Sequence, residues 1–470
     1  MTLKKTTRTR FTRYLSKNFR DDYTTLQIYS RDMSDLPKVV KLFVGNLPDG
    51  VIQVRNTEDM QKIYEIANET HVPITQRGGG TAGFGGCVPY KKGVVVDTKG
   101  LESHFLVDPL ELTVTTSPSI VFSELQRQLN LEGFSLCSYP SSFHSATVGG
   151  WIAHGGYGIG SIQYGGANEQ IAALEVVLPN GERKRYTEFD DISLFVGSHG
   201  TLGTITEVVL KIKFDIPLKH QGCTFDSPSE MLKGLEQLSK INPFSIWFLN
   251  PDHVASFNEV FGYNLPKSYV AIISKEVSFE EEEKEFNNLF NNAIRASGGQ
   301  ILDKRYIKDI WDFRFKGFSL LGECADYLVT EVILPVETSE KFFRKIVSKF
   351  KGEIHLEGEM ISPTHYSLLI YLLFEEKLSE IKKTILNLKL YKITTKKSRA
   401  KGFPYSTGLW FSGYYSSIYG KEQYKRYQEF KRKVDPKNIS NPGKVISPRI
   451  RFFPLVRLKA IVKIASRLII

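Results

Sequence analysis

Pro73-Ile-Thr-Gln-Arg-Gly-Gly-Gly-Thr-Ala-Gly-Phe-Gly-Gly-Cys-Val-Pro89 is the stretch on which the reading of this chain turns. It opens on an extended apolar run and then places glycine at Gly78, Gly79, Gly80, Gly83, Gly85 and Gly86. Glycine has no side chain and tolerates positive φ, so consecutive backbone N–H groups converge on an anion. A second glycine-rich stretch, Thr147-Val-Gly-Gly-Trp-Ile-Ala-His-Gly-Gly-Tyr-Gly-Ile-Gly-Ser161, follows Pro140-Ser-Ser. One such loop is a common surface feature; two in this order within one domain point to a nucleotide cofactor.

Context decides which kind of loop this is. Gly78-Gly-Gly-Thr-Ala-Gly83 satisfies the pattern G-x-G-x-x-G, but the dinucleotide fingerprint needs a helix directly after it, its N-terminus facing the pyrophosphate. Phe84–Gly93 is unable to start a helix, and Val94-Val-Val-Asp97 reads as the next strand. A Rossmann domain is thereby excluded, and the lack of G-x-x-x-x-G-K-[ST] excludes a P-loop NTPase.

The composition of the wider chain agrees with a soluble enzyme of two domains. Its 470 residues are 41% hydrophobic and 12% aromatic, enough for two substantial domains. Cys87, Cys137, Cys223 and Cys324 lie far apart without a C-x-x-C pair, which argues against an iron–sulfur cluster and against a disulfide scaffold. A reducing cytoplasm is the expected setting, since no apolar leader precedes the first domain. The net charge of +11 is concentrated at the ends: residues 1–20 carry +7 and residues 449–470 carry +6, leaving the rest near −2. Nucleic-acid binding is not expected, because no accompanying motif supports the basic ends. In the tail, Leu458, Ile461, Ala465 and Leu468 share one stripe and Lys459, Lys463, Ser466 and Arg467 another. This is a basic amphipathic helix, too short and too charged to span a bilayer. It suits either the anionic inner face of the plasma membrane or a protein surface.

Periodicity gives helices at Glu58–Thr70, Phe122–Leu131, Ser193–Ser198, Glu230–Ser239, Phe279–Ala296, Ser339–Phe350 and Lys377–Leu388. Strands are expected at Val72–Gln76, Val94–Asp97, Glu111–Thr116, Ala172–Leu178, Thr204–Ile212, Phe244–Phe248, Tyr269–Ser274 and Tyr327–Leu334.

These segments resemble the FAD-binding domain of the vanillyl-alcohol oxidase / p-cresol methylhydroxylase flavoproteins, nearest to the glycolate oxidase and D-lactate dehydrogenase branch. The resemblance runs through Tyr29-Ser-Arg-Asp32, Arg77–Thr81, Gly149-Gly150, Tyr164-Gly165, Leu174–Gly181 and Leu194–Glu207, and ends at Asp435-Pro-Lys-Asn-Ile-Ser-Asn-Pro-Gly-Lys444. It implies an α+β protein: a PCMH-type FAD-binding domain of two α/β subdomains plus an α+β substrate (cap) domain with an antiparallel sheet. The segments divide as a basic arm (1–28), the FAD domain (29–217), the cap (218–430), a return to the FAD domain (431–448) and the basic tail (449–470).

By the same resemblance Arg77, Gly78, Gly79, Gly80 and Thr81 hold the FAD pyrophosphate. Pro140, Ser141, Thr147, Gly149 and Gly150 run along the phosphates and the isoalloxazine edge, with Ala153 and Ile205 adding contacts. Thr81 stands where some relatives carry a covalently linked histidine, so FAD is expected to bind non-covalently. His154 touches flavin or substrate, or else serves a backbone carbonyl.

For the substrate, Arg314 in Trp311-Asp-Phe-Arg314 matches a family carboxylate clamp; its alternative is a structural ion pair. His365 falls near the place of a family histidine cluster, although Glu359-Met-Ile-Ser-Pro-Thr-His-Tyr366 departs from that pattern. His355, Glu357 and Glu359 share one face of a strand. With His365 they would suit a divalent cation, but a solvated face is the preferred reading and no metal is assigned. The aromatic run Tyr405–Tyr415 is a candidate pocket wall. The implied activity is oxidation of a hydroxyl-bearing carbon, foremost of a small 2-hydroxy acid, with electrons passing to a quinone or other acceptor. The alternatives are a sugar or alditol oxidase, a flavin-carrying electron-transfer subunit of a membrane complex, and a non-redox use of FAD.

Deleting residues 452–470 tests the tail. Loss of sedimentation with anionic vesicles is the expected outcome, and unchanged sedimentation assigns the helix to a protein contact.

Overall fold

The first glycine loop joins two parallel strands in the computed structural model of the protein, which describes residues 5–15, 18–34, 47–316, 324–350, 354–395 and 401–446. Strands β1 (Phe19–Arg20), β2 (Gly50–Gln53), β3 (Ile74–Arg77) and β4 (Val94–Asp97) form a sheet of order β1-β2-β4-β3. Strand β4 runs parallel to both β2 and β3. Residues 78–93 contain no helix, as the loop's own composition requires.

Beside this sheet lies the helix Thr57–Thr70, one residue longer than read from the sequence. Asn56 caps it by accepting the Asp59 N–H (2.8 Å), and Glu58 and Asp59 complement the helix dipole in the first turn. Met60, Ile63, Tyr64 and Ala67 are its buried stripe. The basic N-terminal segment is not a free arm. Its helix Lys5–Leu15 sends Phe11 and Leu15 into this same core, while Arg10 pairs with Glu69 and Arg8 with Asp21 (2.5 Å). The i, i+4 apolar pair that anchors it is easily missed among the cations.

A second sheet, fully antiparallel, contains β5 (Phe105–Asp108), β6 (Thr113–Thr116), β7 (Phe134–Leu136), β8 (Ile171–Val177), β9 (Arg183–Tyr186) and β10 (Thr204–Phe214). The helix Phe122–Leu131 falls where the sequence puts it and buries Phe122, Leu125 and Leu129. The helix expected at Ser193–Ser198 is only a 3₁₀ turn, Ile192–Leu194. Positive φ at Gly197, His199 and Gly200 ends it.

The third sheet holds β11 (Leu218–Phe225), β12 (Ser245–Leu249), β13 (Tyr269–Glu276), β14 (Gln300–Ile301), β15 (Asp326–Pro335), β16 (Ile354–Ser362), β17 (His365–Phe374) and β18 (Phe403–Pro404). Their order is β14-β11-β13-β12-β16-β17-β15-β18, with every neighbouring pair antiparallel. Alternation along each strand sorts side chains to opposite faces. Leu328, Val332, Leu334, Leu356 and Met360 meet Met231, Leu235, Phe286 and Phe290 of the helices Pro228–Ser239 and Glu280–Ser297. The intervening residues turn the other way. His355, Glu357 and Glu359 do share that second face, but it is not solvated: they are 6%, 8% and 9% exposed, because the helices Ser161–Tyr164 and Pro251–Phe261 pack against β16.

After the helix Lys421–Val434 the chain returns to the first sheet. Ile74 donates its N–H to the Ile439 carbonyl (2.8 Å), and Asn441 donates to the Ile74 carbonyl (2.7 Å). Lys431 Nζ, buried, pairs with Asp435 and donates to the carbonyls of Thr201 (2.7 Å) and Ser440 (3.1 Å). The basic tail read at 449–470 lies outside the described residues, among which no helix is long and apolar enough to cross a membrane.

Asp435→Ala strands the Lys431 charge in the interior and is expected to destabilise the protein by about 3–5 kcal/mol. Denaturant unfolding followed by circular dichroism measures it; a midpoint equal to wild type would remove this ion pair from the account of the return segment.

Candidate cofactor and substrate site

The two glycine loops meet each other at distances only glycine permits. A Cβ on Gly78 would lie 2.2 Å from Thr147 Oγ1, and one on Gly79 would lie 2.2 Å from the Ser145 carbonyl oxygen. Thr147 is held because it caps the helix Val148–His154, accepting the Gly150 N–H at 3.3 Å. Sequence reasoning took this stretch for a loop, since two glycines in one helical turn are unfavourable. Packing explains them: a Cβ on Gly149 would meet Pro118 at 2.6 Å.

One cavity follows from this contact. It is lined by Arg77, Gly78, Gly79, Gly80, Thr81, Pro140, Ser141, Thr147, Gly149, Gly150, Ala153 and Ile205, with His154 and Arg314 further along it. The narrow cradle of loop backbone, the hydroxyls of Thr81 and Ser141 and the open space around Gly83 fit a long, anionic, partly flat cofactor. Arg77 differs from expectation in its role. Its Nη1 donates to the Arg31 carbonyl and lies 3.4 Å from Cys87 Sγ, and its guanidinium sits over the Tyr29 ring at 5.4 Å. It supports the loop from beneath, folded against Gly80, whose φ is +70°.

Around His154 the wall is aromatic. Its ring stacks on Phe84 (5.5 Å), and Tyr405 and His199 lie 5.7 and 5.3 Å away. Ser406 Oγ donates to the His154 carbonyl (2.7 Å). Burial pushes His154 down to about 4 and His199 well below its ordinary value, so both imidazoles are neutral at pH 7. His199 was not singled out in the sequence, although it sits inside Leu194–Glu207. The Gly408 N–H donates to its Nε2 (2.9 Å), which leaves Nδ1 as the protonated nitrogen. Tyr405, from the aromatic run, reaches the cavity and bonds Tyr157 through both its backbone groups (2.6 and 2.8 Å).

The opposite wall is the second face of the third sheet. Glu357 accepts from Trp247 Nε1 (3.0 Å) and Tyr371 Oη (3.1 Å). Glu359 accepts from Ser245 Oγ (2.8 Å) and Arg314 Nη2 (2.6 Å), and Arg314 Nη1 donates to Ser245 Oγ (3.0 Å). Arg314 is 3% exposed and lies over the rings of Trp311 (4.7 Å) and Trp247 (5.3 Å). Its partner is therefore Glu359 on a neighbouring element, not Asp312. Glu331 on β15 accepts from Ser367 Oγ. Burial pushes Glu331 and Glu359 up to about 7, and Glu357 upward as well.

His365 does not join this wall. It opens β17 at the tight β16–β17 turn, where Nδ1 bonds Thr364 Oγ1 (2.9 Å) and its N–H donates to Ser362 (3.1 Å), and it is absent from the cavity lining. Its register opposite Ser362 puts it at the hairpin end of the sheet. Among the described residues no group of three His, Cys, Asp or Glu side chains is placed to hold a metal. Glu331, never weighed in the sequence, carried no local signal beyond its place in an alternating strand.

Comparison with known proteins agrees with the fold and the cradle. Residues 48–187 match the FAD binding domain family. The chain is 29% identical over 289 residues to the glycolate oxidase subunit GlcD of Bacillus subtilis, a match covering 58% of this chain and 59% of that protein. It is 24% identical over 472 residues to the mitochondrial D-lactate dehydrogenase [cytochrome] of Arabidopsis thaliana, covering 93% and 79% respectively. The solved structure of p-cresol methylhydroxylase with substrate bound superposes with a TM-score of 0.78 at 16% identity, covering 94% of this chain and 96% of that one. Residues 48–187 thus form an FAD binding domain, in a fold shared with p-cresol methylhydroxylase. More particularly, the chain's relatives by sequence include a glycolate oxidase subunit, of which the match spans about three fifths of the length, and a D-lactate dehydrogenase.

Gly78→Ala forces the two loops apart. Overpacking of this kind costs about 1–3 kcal/mol, so FAD affinity is expected to fall about tenfold or more. Fluorescence titration with FAD reads the change, and wild-type affinity would show that the loop contact does not shape the cradle.

Proposed function

We propose that the protein oxidises a hydroxyl-bearing carbon of a small substrate, with 2-hydroxy acids of the glycolate and D-lactate kind as the first class. The observation that carries this reading is the single cavity that joins the glycine-loop cradle to a wall of Arg314, Glu331, Glu357 and Tyr405. FAD, when bound, supplies the two-electron acceptor for the substrate hydride. The loop amides from Gly78 to Thr81 hold its phosphates, and Thr81 in place of a histidine supports non-covalent binding. Arg314 is the cation available to a substrate carboxylate, and Glu359 holds it in place beside the two tryptophans. The wall also limits the water around the reacting carbon. Electrons then leave to a quinone or other acceptor, and the basic amphipathic composition of residues 449–470 is what supports a membrane acceptor.

A second reading draws on one specific feature. Arg314 is already paired with Glu359 at 2.6 Å, and Glu331 and Glu357 add two further carboxyl groups. Such a wall accepts hydroxyl hydrogen bonds readily, which favours a neutral polyol or sugar. The polar wall of Arg314, Glu331 and Glu357 beside the cradle speaks against a bare electron-transfer subunit.

Anaerobic bleaching of the bound flavin by a panel of 2-hydroxy acids and polyols separates the two substrate classes. Rapid reduction by one acid supports the first reading, and reduction by polyols alone the second; FAD that no member of either panel reduces overturns both. Arg314→Ala is expected to weaken apparent affinity for a reactive acid about 10- to 100-fold, the worth of hydrogen bonds to a charged group. Unchanged affinity would remove Arg314 as the clamp.

A further inference from the structure

Oxidation of a hydroxyl-bearing carbon needs a group to take the hydroxyl proton while the carbon gives up its hydride. The histidine that the sequence offered for this, His365, lies at a hairpin turn outside the cavity. His154 is in the cavity, but it is packed between Phe84 and Tyr405 in surroundings that resist an imidazolium. His199 accepts a backbone N–H through its one basic nitrogen. The remaining candidates are the three glutamates of the sheet wall, and their hydrogen bonds separate them.

Glu357 has both carboxylate oxygens engaged, one by Trp247 and one by Tyr371. Glu359 likewise has both engaged, by Ser245 and by Arg314. Glu331 differs: Ser367 donates to Oε1, and among the described residues none donates to Oε2. Its strand also aims it. Leu328, Val332 and Leu334 turn into the helix-covered core, so Tyr327, Val329 and Glu331 face the cavity. Register sets Glu331 opposite Leu369, which in turn is opposite Glu357, so its position in the sheet is fixed by pairing across two strands.

We propose that Glu331 is the catalytic base, taking the substrate hydroxyl proton on Oε2. This rests on the hydroxyl-oxidation reading and is independent of whether the substrate is an acid or a polyol. The step balances within the loaded protein: the O–H bond breaks and its proton goes to the Glu331 carboxylate. The C–H bond breaks with its electron pair passing as hydride to FAD, and the carbon–oxygen bond becomes a carbonyl. Glu357 on β16, Tyr371 on β17 and Tyr405 after β18 are the titratable groups around Glu331. Both tyrosines are held protonated by burial, and Glu357 opposes a second negative charge beside it. A carboxyl held up to about 7 is matched to proton abstraction near neutral pH.

The test uses the full-length FAD-loaded protein and whichever substrate bleaches it. For wild type, the limiting rate of anaerobic flavin reduction should fall below a pH near 7. Glu331→Gln should lower that rate about 10²- to 10⁴-fold and abolish the acid limb, while FAD occupancy stays at the wild-type level. Ser367→Ala removes the hydrogen bond that favours the carboxylate, so its acid limb should move to higher pH.

A readout that does not depend on turnover is the melting temperature between pH 5 and 8. A carboxyl whose folded pKa is raised binds its proton more tightly folded than unfolded, so its contribution to stability declines as pH rises from about 4.5 to about 7. Glu331→Gln should make that decline shallower. Reduction of Glu331→Gln at the wild-type rate with the same acid limb overturns the assignment and leaves the oxidoreductase reading standing. A wild-type flavin that no hydroxyl substrate reduces overturns both.

Discussion

The close approach of two backbone segments is the constraint on which the rest of this structure depends. Gly78 and Gly79 lie against Thr147 and the Ser145 carbonyl with no room for a β-carbon. That contact joins the loop leaving the mixed first sheet to the segment that caps the helix Val148–His154, and both line the cavity. Several otherwise unrelated features serve it. Arg77 folds beneath Gly80 instead of reaching outward. Thr147 spends its hydroxyl on a helix cap. The Asn441 side chain ties the Gly86 carbonyl to the His199 carbonyl, so the far end of the first loop is held by a residue some 350 positions away.

Opposite the cradle, the third sheet solves a different problem. Its second face is covered by the helices Ser161–Tyr164 and Pro251–Phe261, yet carries three carboxyl groups, with the Arg314 guanidinium set against them from the end of the helix Lys304–Phe313. Buried charge is tolerated only when it is paired, hydrogen-bonded or neutralised by its proton, and all three solutions occur within a few strands. Glu359 is paired with Arg314, Glu357 is hydrogen-bonded twice by neutral donors, and Glu331 has a pKa raised toward neutrality. A face built in this way is costly to fold. The carboxyl groups then have differing amounts of freedom, and the least engaged is the one open to a ligand.

Much of the cofactor half was legible in the sequence because its signals are local. Val94–Asp97 and Phe122–Leu131 fall at the positions their patterns indicate, and the run from Phe84 to Gly93 excludes a helix by composition alone. The helix Val148–His154 was hidden, since Gly149 answers to Pro118, some thirty residues earlier in the chain. The substrate half was less legible for the same reason. Alternation put His355, Glu357 and Glu359 on one face, but which face meets water is decided by the helices packed against β16 from elsewhere in the chain. Arg314 could be picked out from its neighbours, whereas its partner Glu359 lies 45 residues on. The apolar pair Phe11 and Leu15 was outweighed by seven surrounding positive charges.

The return of the chain to the first sheet has a consequence for the order in which the protein is made. Ile74 completes its hydrogen bonds with Ile439 and Asn441, and Tyr64 and Gln76 meet the Ser440 hydroxyl. During synthesis the N-terminal sheet therefore emerges first but waits through more than 300 residues of later chain for its last partners. Such distant pairings are slow to form and leave surface exposed in the meantime. The first sheet is therefore complete only once residues 439–441 have been made and have folded back onto it.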